Sequence, residues 1–596
     1  MYNAKHMFPQ VRGGFRMYLK KTPSRSGRVS LSAVQGYRDP ETGRVRQRTV
    51  ETFGYVDALE AEFDDPVAHF AEVVAAMDAE RLAAEGPQTI TVHPLQRVDK
   101  RRTNRMAAGD AVPMAYYGAL GVEAAVRSNM RGRRTGFDVN ALLRLLVMER
   151  LLAPGSKRAA WESSGRHFYR CDLSEPDVYR GLTEIARMSG AIVSKANSSI
   201  AAAGIRDLGC GYYDCTNYYF ESDGDEPRRK GVSKERRPNP IVQMGLMQDA
   251  NGVPVDFRIF PGDVHDGDTL VDALPEARRA AGMGRVVTVA DKGMNCSKNV
   301  IATVARGDGF VFSQPIRGTK GRRELREWVI SDRGYSPSAD GTFKMKSRQD
   351  TKTIRVPREG SADGRGHSVE VDVQVVAFWS RKYAERARHE RERVLEKSRQ
   401  LVANPGRCTR ATHLGAAKYV RNVGFDAATG EVVECAKAPE LDYAAIEADA
   451  ACDGHCCIVT SETGWEPARV VDTYRELWRI EEAFKVTRSH LGARPVYVWT
   501  PEHIQAHFLT CYLALVIERL IEHALGNRYS AGAILEDMRA LECSSVDAEW
   551  WLFDHRTDLT DGLFALIGEE APRKFMRTGD IRGLFKKGRE VRWKAL

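Results

Sequence analysis

The sequence has no uninterrupted run of about 20 apolar residues of the kind a membrane span needs. Its most apolar stretch, near residues 502–525, carries Glu502, His503, Glu518, Arg519 and Glu522, which argues against a membrane protein. The opening residues MYNAKHMFPQ lack the apolar core of a secretory signal, and the 11 cysteines fall without framework spacing. A reducing, cytoplasmic setting is the expectation. Low-complexity bulk is missing too: with 43% hydrophobic and 28% charged residues, disorder and collagen-like structure drop out. What remains is 596 residues of core-forming sequence, too long for one compact fold and enough for roughly four domains.

Charge is uneven along the chain. Residues 1–50 hold eleven Lys/Arg against Asp39 and Glu41, and residues 51–99 hold eleven Asp/Glu against Arg81 and Arg97. The last 24 residues, 573–596, hold nine Lys/Arg against Asp580 and Glu590, with Phe575, Phe585 and Trp593 interleaved. Basic segments at both ends fit a polyanion such as DNA, and equally a solvated tail.

Three β-forming runs, FRMYLKK, RVSLSAVQGYR and RQRTVETFGYV, with the turn residues RDPETGR, predict a small basic β-hairpin unit. An acidic helix follows, capped by Asp64 or Asp65 before Pro66 and ended by Gly86. From 110 to 205 the pattern is helical. Val139, Leu142, Leu143, Leu146 and Arg150 form a stripe capped by Asp138, then Pro154-Gly155 and two shorter helices follow. That is compatible with a helix-turn-helix-like DNA reader or with an ordinary bundle.

Residues 209–316 read β-β-β-α-β-α-β, the order of an RNase H-like core. Gly-, Lys- and Arg-rich β-like pieces and a charged helix over 380–400 interrupt it, CCIVTSE resumes a strand, and a long helix begins at EPARVV. The fold class is therefore α/β: an RNase H-like catalytic core interrupted by a β-rich insertion domain, with N-terminal β-hairpin and helical DNA-binding regions. The expected division is a β-hairpin unit with its acidic helix (1–100), a helical DNA-binding domain (101–205), the first part of the core (206–316), the insertion (317–455), the second part of the core (456–527) and a C-terminal segment with the basic tail (528–596).

Three acids stand out. Asp214 lies inside an aromatic strand, Asp291 ends the apolar strand VVTVA at a position where open α/β sheets hold their ligands, and Glu481 lies on the long helix. Tyr474, Trp478, Glu481, Lys485 and Arg488 recur there at helical spacing, making a polar stripe where a buried helix would be apolar. Singly, each acid has a plain alternative: a satisfied core residue, a helix N-cap, an i,i+4 partner of Lys485. Together they form the oxygen donor set that a pair of Mg²⁺ ions takes.

The blocks YYDCTNYYFE, VVTVADKGMNCSKN and YRELWRIEEAFKVTRSHLGARPVYVWTPEHIQAH resemble those of the bacterial DDE insertion-sequence transposases, in the group with a Tyr-Arg-Glu-Lys signature of insertion-sequence-four superfamily type. GVSKERRPNPIVQMGLMQDANGVPVDFRIFPGDVHD and LLVMERLLAPGSKRAAWE are similar to the same group, so the resemblance covers about residues 17 to 525. Met17-Tyr18-Leu19-Lys20-Lys21 is how such chains begin, which marks the first 16 residues as an extension.

The resemblance implies that Asp214, Asp291 and Glu481 are catalytic and hold two Mg²⁺ ions, with Mn²⁺ as a substitute. It implies double-stranded DNA as partner, at transposon ends and target, and a homodimer in the synaptic complex, with no membrane and no small-molecule substrate. DNA contacts fall to Tyr474, Arg475, Trp478, Arg479, Lys485, Arg488 and Lys292. Two signature positions depart from the pattern: Leu477 stands for Arg and Arg488 for Lys. Arg475 or Arg479 would supply the missing contact, including for a hairpin intermediate with Trp478 stacked on an extruded base. Glu482 competes with Glu481 but is rotated by about 100°. The implied reaction is hydrolysis at the element's ends followed by joining of the freed 3′-OH to target DNA. A nuclease without strand transfer and a DNA-binding repressor derived from a transposase are the alternatives. Cys452, His455, Cys456 and Cys457, or Cys408 with His413, lack paired metal-site spacing, so zinc is not expected. Asp263, His265, Asp266 and Asp268 read as loop and helix-cap residues.

Overall fold

A computed structural model describes the chain apart from residues 1–16, 25–26, 39–44, 85–94, 96, 101–102, 222–227, 229–238, 318–322, 358–365, 405–414, 426–431, 434–437, 548, 587 and 596. Residues 39–44 of the turn RDPETGR, Gly86, Cys408 and His413 therefore lie outside the described residues. The chain forms two units, one of Met1–Ala115, Ser163–Cys171 and Glu536–Val591, the other of Tyr116–Glu162, Asp172–Leu535 and Arg592–Leu596.

In the first unit β1 (Met17–Pro23), β2 (Val29–Arg38) and β3 (Val45–Tyr55) form an antiparallel meander in that order. Leu31, Ala33 and Val34 of β2 are buried. α1 (Val56–Leu59) and α2 (Pro66–Ala84) follow, and Phe70 of α2 stacks on Phe53 with ring centroids 4.4 Å apart. Asp65 accepts from the Ala68 amide at 3.0 Å, as its place ahead of Pro66 predicts. A second sheet, in the order β20-β19-β18-β4, joins β4 (Arg105–Ala107) to β18 (Glu542–Ser545), β19 (Trp550–Phe553) and β20 (Phe575–Arg577), with α18 (Asp558–Ala565) and α19 (Thr578–Leu584) beside it in sequence. Much of the basic C-terminus is thus folded: Phe585 packs on Phe168 at 6.1 Å, and Arg589 donates to the Ile567 carbonyl at 3.2 Å and pairs with Glu569. Two further helices are α3 (Ala111–Ala119) and α17 (Ala531–Ala540).

The second unit is built on α16 (Pro501–Ala524), the one helix among the described residues long and apolar enough to cross a membrane; 94% of its apolar window is buried inside the fold. α4 (Val122–Asn129), α5 (Val139–Leu152), α6 (Lys157–Glu162), α7 (Glu175–Arg187) and α8 (Ser189–Ala202) gather beside it. Asp138 caps α5, accepting from the Asn140 and Ala141 amides at 2.9 and 3.1 Å. The single apolar stripe expected on α5 is too narrow: every residue from Val139 to Leu151 is buried except the half-buried Arg144, because α5 is packed between α7 and α16. α7 starts with a Ser174/Asp177 capping box and buries Val178, Gly181, Leu182 and Ile185. Its Arg180 and Arg187 are already paired with Asp177 and Glu184.

The sheet follows the expected order: β5 (Cys210–Tyr219), β6 (Ile241–Gln248), β7 (Pro254–Pro261), α9 (Asp266–Ala281), β8 (Val287–Ala290), α10 (Ser297–Val304) and β9 (Gly309–Ser313). β5, β8 and β9 are parallel, and β6 is antiparallel to both neighbours. Residues 317–455 contribute α11 (Arg323–Ile330), β10 (Ser336–Pro337), β11 (Phe343–Pro357), β12 (Gly366–Ser380), α12 (Arg381–Ala403) and α13 (Tyr443–Ala450). They also hold two small strand pairs, β13 (Val420–Arg421) with β16 (Glu440–Leu441) and β14 (Gly424–Phe425) with β15 (Val432–Val433). β17 (His455–Thr460) pairs with both β9 and β12, giving one nine-stranded sheet in the order β10-β11-β12-β17-β9-β8-β5-β6-β7. β17 thus covers the β9 edge, and the long β11–β12 hairpin extends the sheet beyond β17, pairing amides and carbonyls that would otherwise stay bare.

The long helix predicted from EPARVV is interrupted. α14 (Pro467–Arg475) and α15 (Trp478–Lys485) are separated by a turn at Glu476–Leu477, and a π-helical turn, Val486–His490, leads to Gly492 at φ +55°. Tyr213 and Cys215 of β5 join the core with Leu270, Ala273 and Leu274 of α9. The even-numbered side chains of β5 consequently face the other way, toward residues 467–524.

Candidate active site

Asp214 is half-buried in a strand whose neighbours on either side are buried. The parallel register pairs Cys210 with Val287, Gly211 with Thr288 and Tyr212 with Val289. Asp214 and Asp291 each lie two residues beyond the last pair of that ladder, and the alternation of the strand puts Asp214 on the same face of β5 as Tyr212.

That face is covered by the segment carrying Glu481. Tyr212 donates its hydroxyl to the Thr473 carbonyl at 3.1 Å, Arg488 donates to Thr216 Oγ1 at 3.3 Å, and Tyr218 bonds Thr487 Oγ1 at 2.9 Å. Asp214 lies between Tyr212 and Thr216 on this side of β5, and α15 packs against β5. Ile480, Ala483 and Phe484 fill the inner side of α15, whereas Glu481 in its first turn is exposed. Glu482 turns elsewhere: its Oε2 lies 3.5 Å from Arg519 Nη2 of α16. Adjacent acids thus have separate surroundings, as their rotation about the helix requires.

Asp291 occupies the N-cap position of a short 3₁₀ turn, Lys292–Met294, but its side chain makes no capping bond. Its Oδ1 instead accepts from the Tyr474 hydroxyl at 3.2 Å. Burial pushes the Tyr474 pKa upward, so the phenol keeps its proton and acts as a donor. Lys292, Lys485 and Trp478 are exposed, and Arg488 is half-buried. Among the described residues Lys292, Lys485 and Arg488 make no ion pair with a carboxylate.

Leu477, at the signature arginine's place, is buried. Arg475 stacks over Phe343 of β11 at 4.6 Å, with Asp472 3.6 Å away, and Arg479 is paired with Glu476. Among the loop acids near β7, the cap of α9 is His265, whose Nδ1 accepts from the Gly267 amide at 3.1 Å; Asp268 meets Lys298 at 3.1 Å. Cys456 and Cys457 lie in β17, and His455 Nδ1 is 3.2 Å from the Tyr335 hydroxyl.

Among the described residues no group of three or more His, Cys, Asp and Glu side chains is drawn together closely enough to hold a metal ion. Asp214 lies on β5, Asp291 directly follows the adjacent β8, and Glu481 lies on α15, which packs on β5. A feature missed in the sequence is the charge cluster of Glu518, Arg519 and Glu522 in α16, which receives Glu482. Its signal was three charges inside an otherwise apolar helix.

Residues 223–517 match a family model described as a transposase DDE domain, which takes in Asp291 and Glu481 but starts after Asp214. Residues 19–88 match the N-terminal domain of IS1634 family transposases. Comparison with curated proteins gave no match. Among solved structures the chain is similar to the piggyBac transposase in a cryo-EM structure of its synaptic complex with hairpin DNA, at 8% identity over 73% of this chain and 79% of that one, with a TM-score of 0.33. It is also similar to the Mos1 transposase in a paired-end complex with its left transposon end, at 12% identity over 42% of this chain and 68% of that one, with a TM-score of 0.13. DDE transposase domains use divalent metal ions. With both family models matched in chain order, the protein belongs to the DDE transposases of bacterial insertion sequences, enzymes that cut and join DNA.

Proposed function

We propose that this transposase binds the terminal inverted repeats of its insertion sequence, hydrolyses a phosphodiester at each end and joins the freed 3′-OH groups to target DNA, acting as a homodimer on double-stranded DNA in the bacterial cytoplasm. The observation that supports this reading is the parallel pairing of β5 with β8, the strands that lead to Asp214 and Asp291, with α15, which carries Glu481, packed on β5.

Asp214, Asp291 and Glu481 would hold a pair of divalent ions, Mg²⁺ or Mn²⁺. When bound there, these supply Lewis-acid polarisation of the phosphate and charge neutralisation at the attacking and leaving oxygens. The protein's own groups do the rest. Tyr474 fixes the Asp291 carboxylate through its retained phenolic proton. Lys292, Lys485 and Arg488 offer cations to backbone phosphates. Trp478, 53% exposed, offers a stacking face to a base. Arg475, held on Phe343 and open to solvent, supports the replacement of the signature arginine lost at Leu477. The helices at 101–205, the β-meander and the C-terminal basic segment belong to this proposal as further DNA contacts. The β-rich insertion and the Tyr-Arg-Glu-Lys signature assignment are part of the same reading.

A strand-transfer assay with the element's own end DNA and Mg²⁺ tests it: joined products are expected from the unsubstituted protein and none from D214N, D291N or E481Q. Cleavage without joining would point to a nuclease, and binding without cleavage to a repressor.

A further inference from the structure

The short turn that follows Asp291 ends at Asn295, whose side chain is engaged at both polar atoms. Its Nδ2 donates to the Ser313 carbonyl at 3.0 Å and to Gln314 Oε1 at 2.9 Å, and its Oδ1 accepts from Lys352 Nζ at 3.0 Å. Ser313 closes β9, whereas Lys352 belongs to β11, in the residues inserted between β9 and β17. β11 packs against α10, the helix that starts two residues after Asn295. Backbone bonds tie Asn295 back to Asp291: the Met294 amide donates to the Asp291 carbonyl at 2.9 Å, and the Asn295 amide to the Lys292 carbonyl at 3.3 Å. The Asp291 carboxylate is held from another side by the Tyr474 hydroxyl. Arg475, the residue after Tyr474, lies over Phe343 of β11 at 4.6 Å and Phe378 of β12 at 5.7 Å. Both supports of Asp291 therefore lead to the same hairpin.

We propose that the β11–β12 hairpin positions Asp291, with Lys352 and Asn295 as the positioning residues that fix the turn after it. Neither touches the carboxylate; they act through the backbone of the turn. A turn with so few backbone bonds opens locally unless side chains close it. A bond from an ammonium is stronger than one between neutral groups, so Lys352 supplies the firmest of the three that Asn295 makes. The amide is suited to its place because it donates to two oxygens while accepting from the lysine, which a carboxylate at this position could not do. The inference rests on the reading of Asp291 as catalytic and extends it to the inserted residues.

The test uses the full-length protein. Hydrogen exchange of residues 292–296, measured without DNA or added metal, is expected to quicken by about tenfold or more in K352M and N295D, with melting temperatures within about 2 °C of the unsubstituted protein. On end DNA with Mg²⁺, cleavage at saturating DNA should fall about ten- to a hundredfold in both, with the Kd for that DNA within about twofold. K352R, which keeps the cation, should recover most of the rate and the slow exchange. Exchange and cleavage in K352M equal to those of the unsubstituted protein overturn the proposal. So does a loss of cleavage matched by an equal loss of DNA affinity or a large fall in melting temperature, which would make the pair a support of the fold alone. Absence of cleavage by the unsubstituted protein counts against the transposase reading instead, and the exchange measurement then decides by itself whether the hairpin fixes the turn.

Discussion

Two groups of acids differ in their surroundings. Asp291, after β8, accepts from a tyrosine hydroxyl and Glu481 of α15 is open to solvent; neither makes an ion pair among the described residues. Toward α16, Glu482, Glu518 and Glu522 converge on one buried guanidinium, that of Arg519. The second group carries its own cation, which offsets part of its charge within the chain, and it serves to seat the helix. The first is balanced by nothing so strong, which suits acids that take their cation from outside.

The sharpest way to break this contrast is to neutralise one acid from each group. D291N or E481Q is expected to lower cleavage of end DNA about a thousandfold, whereas E482Q stays within about tenfold; a denaturing gel of a cleavage time course reads both. The reverse ranking of Glu481 and Glu482 would exchange their roles. Stability should respond in the opposite sense. R519L strands buried carboxylates and should cost about 3–5 kcal/mol in urea unfolding, while D291N changes stability by less than about 1 kcal/mol.

The buried group also predicts a pH dependence. Burial and the neighbouring carboxylates push Glu518 up to about 8 from its ordinary 4.5. The folded protein keeps a proton that the unfolded chain releases, so this contribution is fully present below about pH 4.5 and is lost as pH rises toward 8. E518Q should flatten that decline in a series of melting curves, and an unaltered slope would assign it to another group. The smallest effect expected is from Y474F, which removes the hydroxyl on Asp291 but no charge: a loss of cleavage of at most about tenfold with DNA binding retained. Complete loss would instead give the phenol a direct chemical role.

Much of this arrangement was legible locally. The order from β5 to β9 followed from apolar runs and turn residues, and Asp138 and Asp65 announced their caps. The positions of Asp214 inside β5 and of Asp291 just after β8 were readable from the aromatic and apolar runs around them. What the sequence concealed depends on distant partners. The burial of α5 on nearly all sides needs α16, some 350 residues away. The turn at Glu476–Leu477 and the π-helical turn leave the 3.6-residue periodicity almost intact, so the helix read as continuous. That Glu482 faces Arg519 could be guessed only by asking why an apolar helix should carry three charges together.

The pairing of β17 with β9 has a consequence for synthesis. Some 140 residues separate the two strands, and at about 5–20 residues per second the ribosome needs roughly 7–28 s to cross that interval. During this time the nascent chain holds both aspartates on a sheet whose β9 edge is bare, with Glu481 still to be made. On the proposed assignment the enzyme has no activity before its last quarter is translated. A chain arrested short of residue 455 is exposed to edge-to-edge association, measurable as sedimenting aggregate when such chains are released. The chain order thus leaves closure of the β9 edge, and then Glu481, to the later part of synthesis.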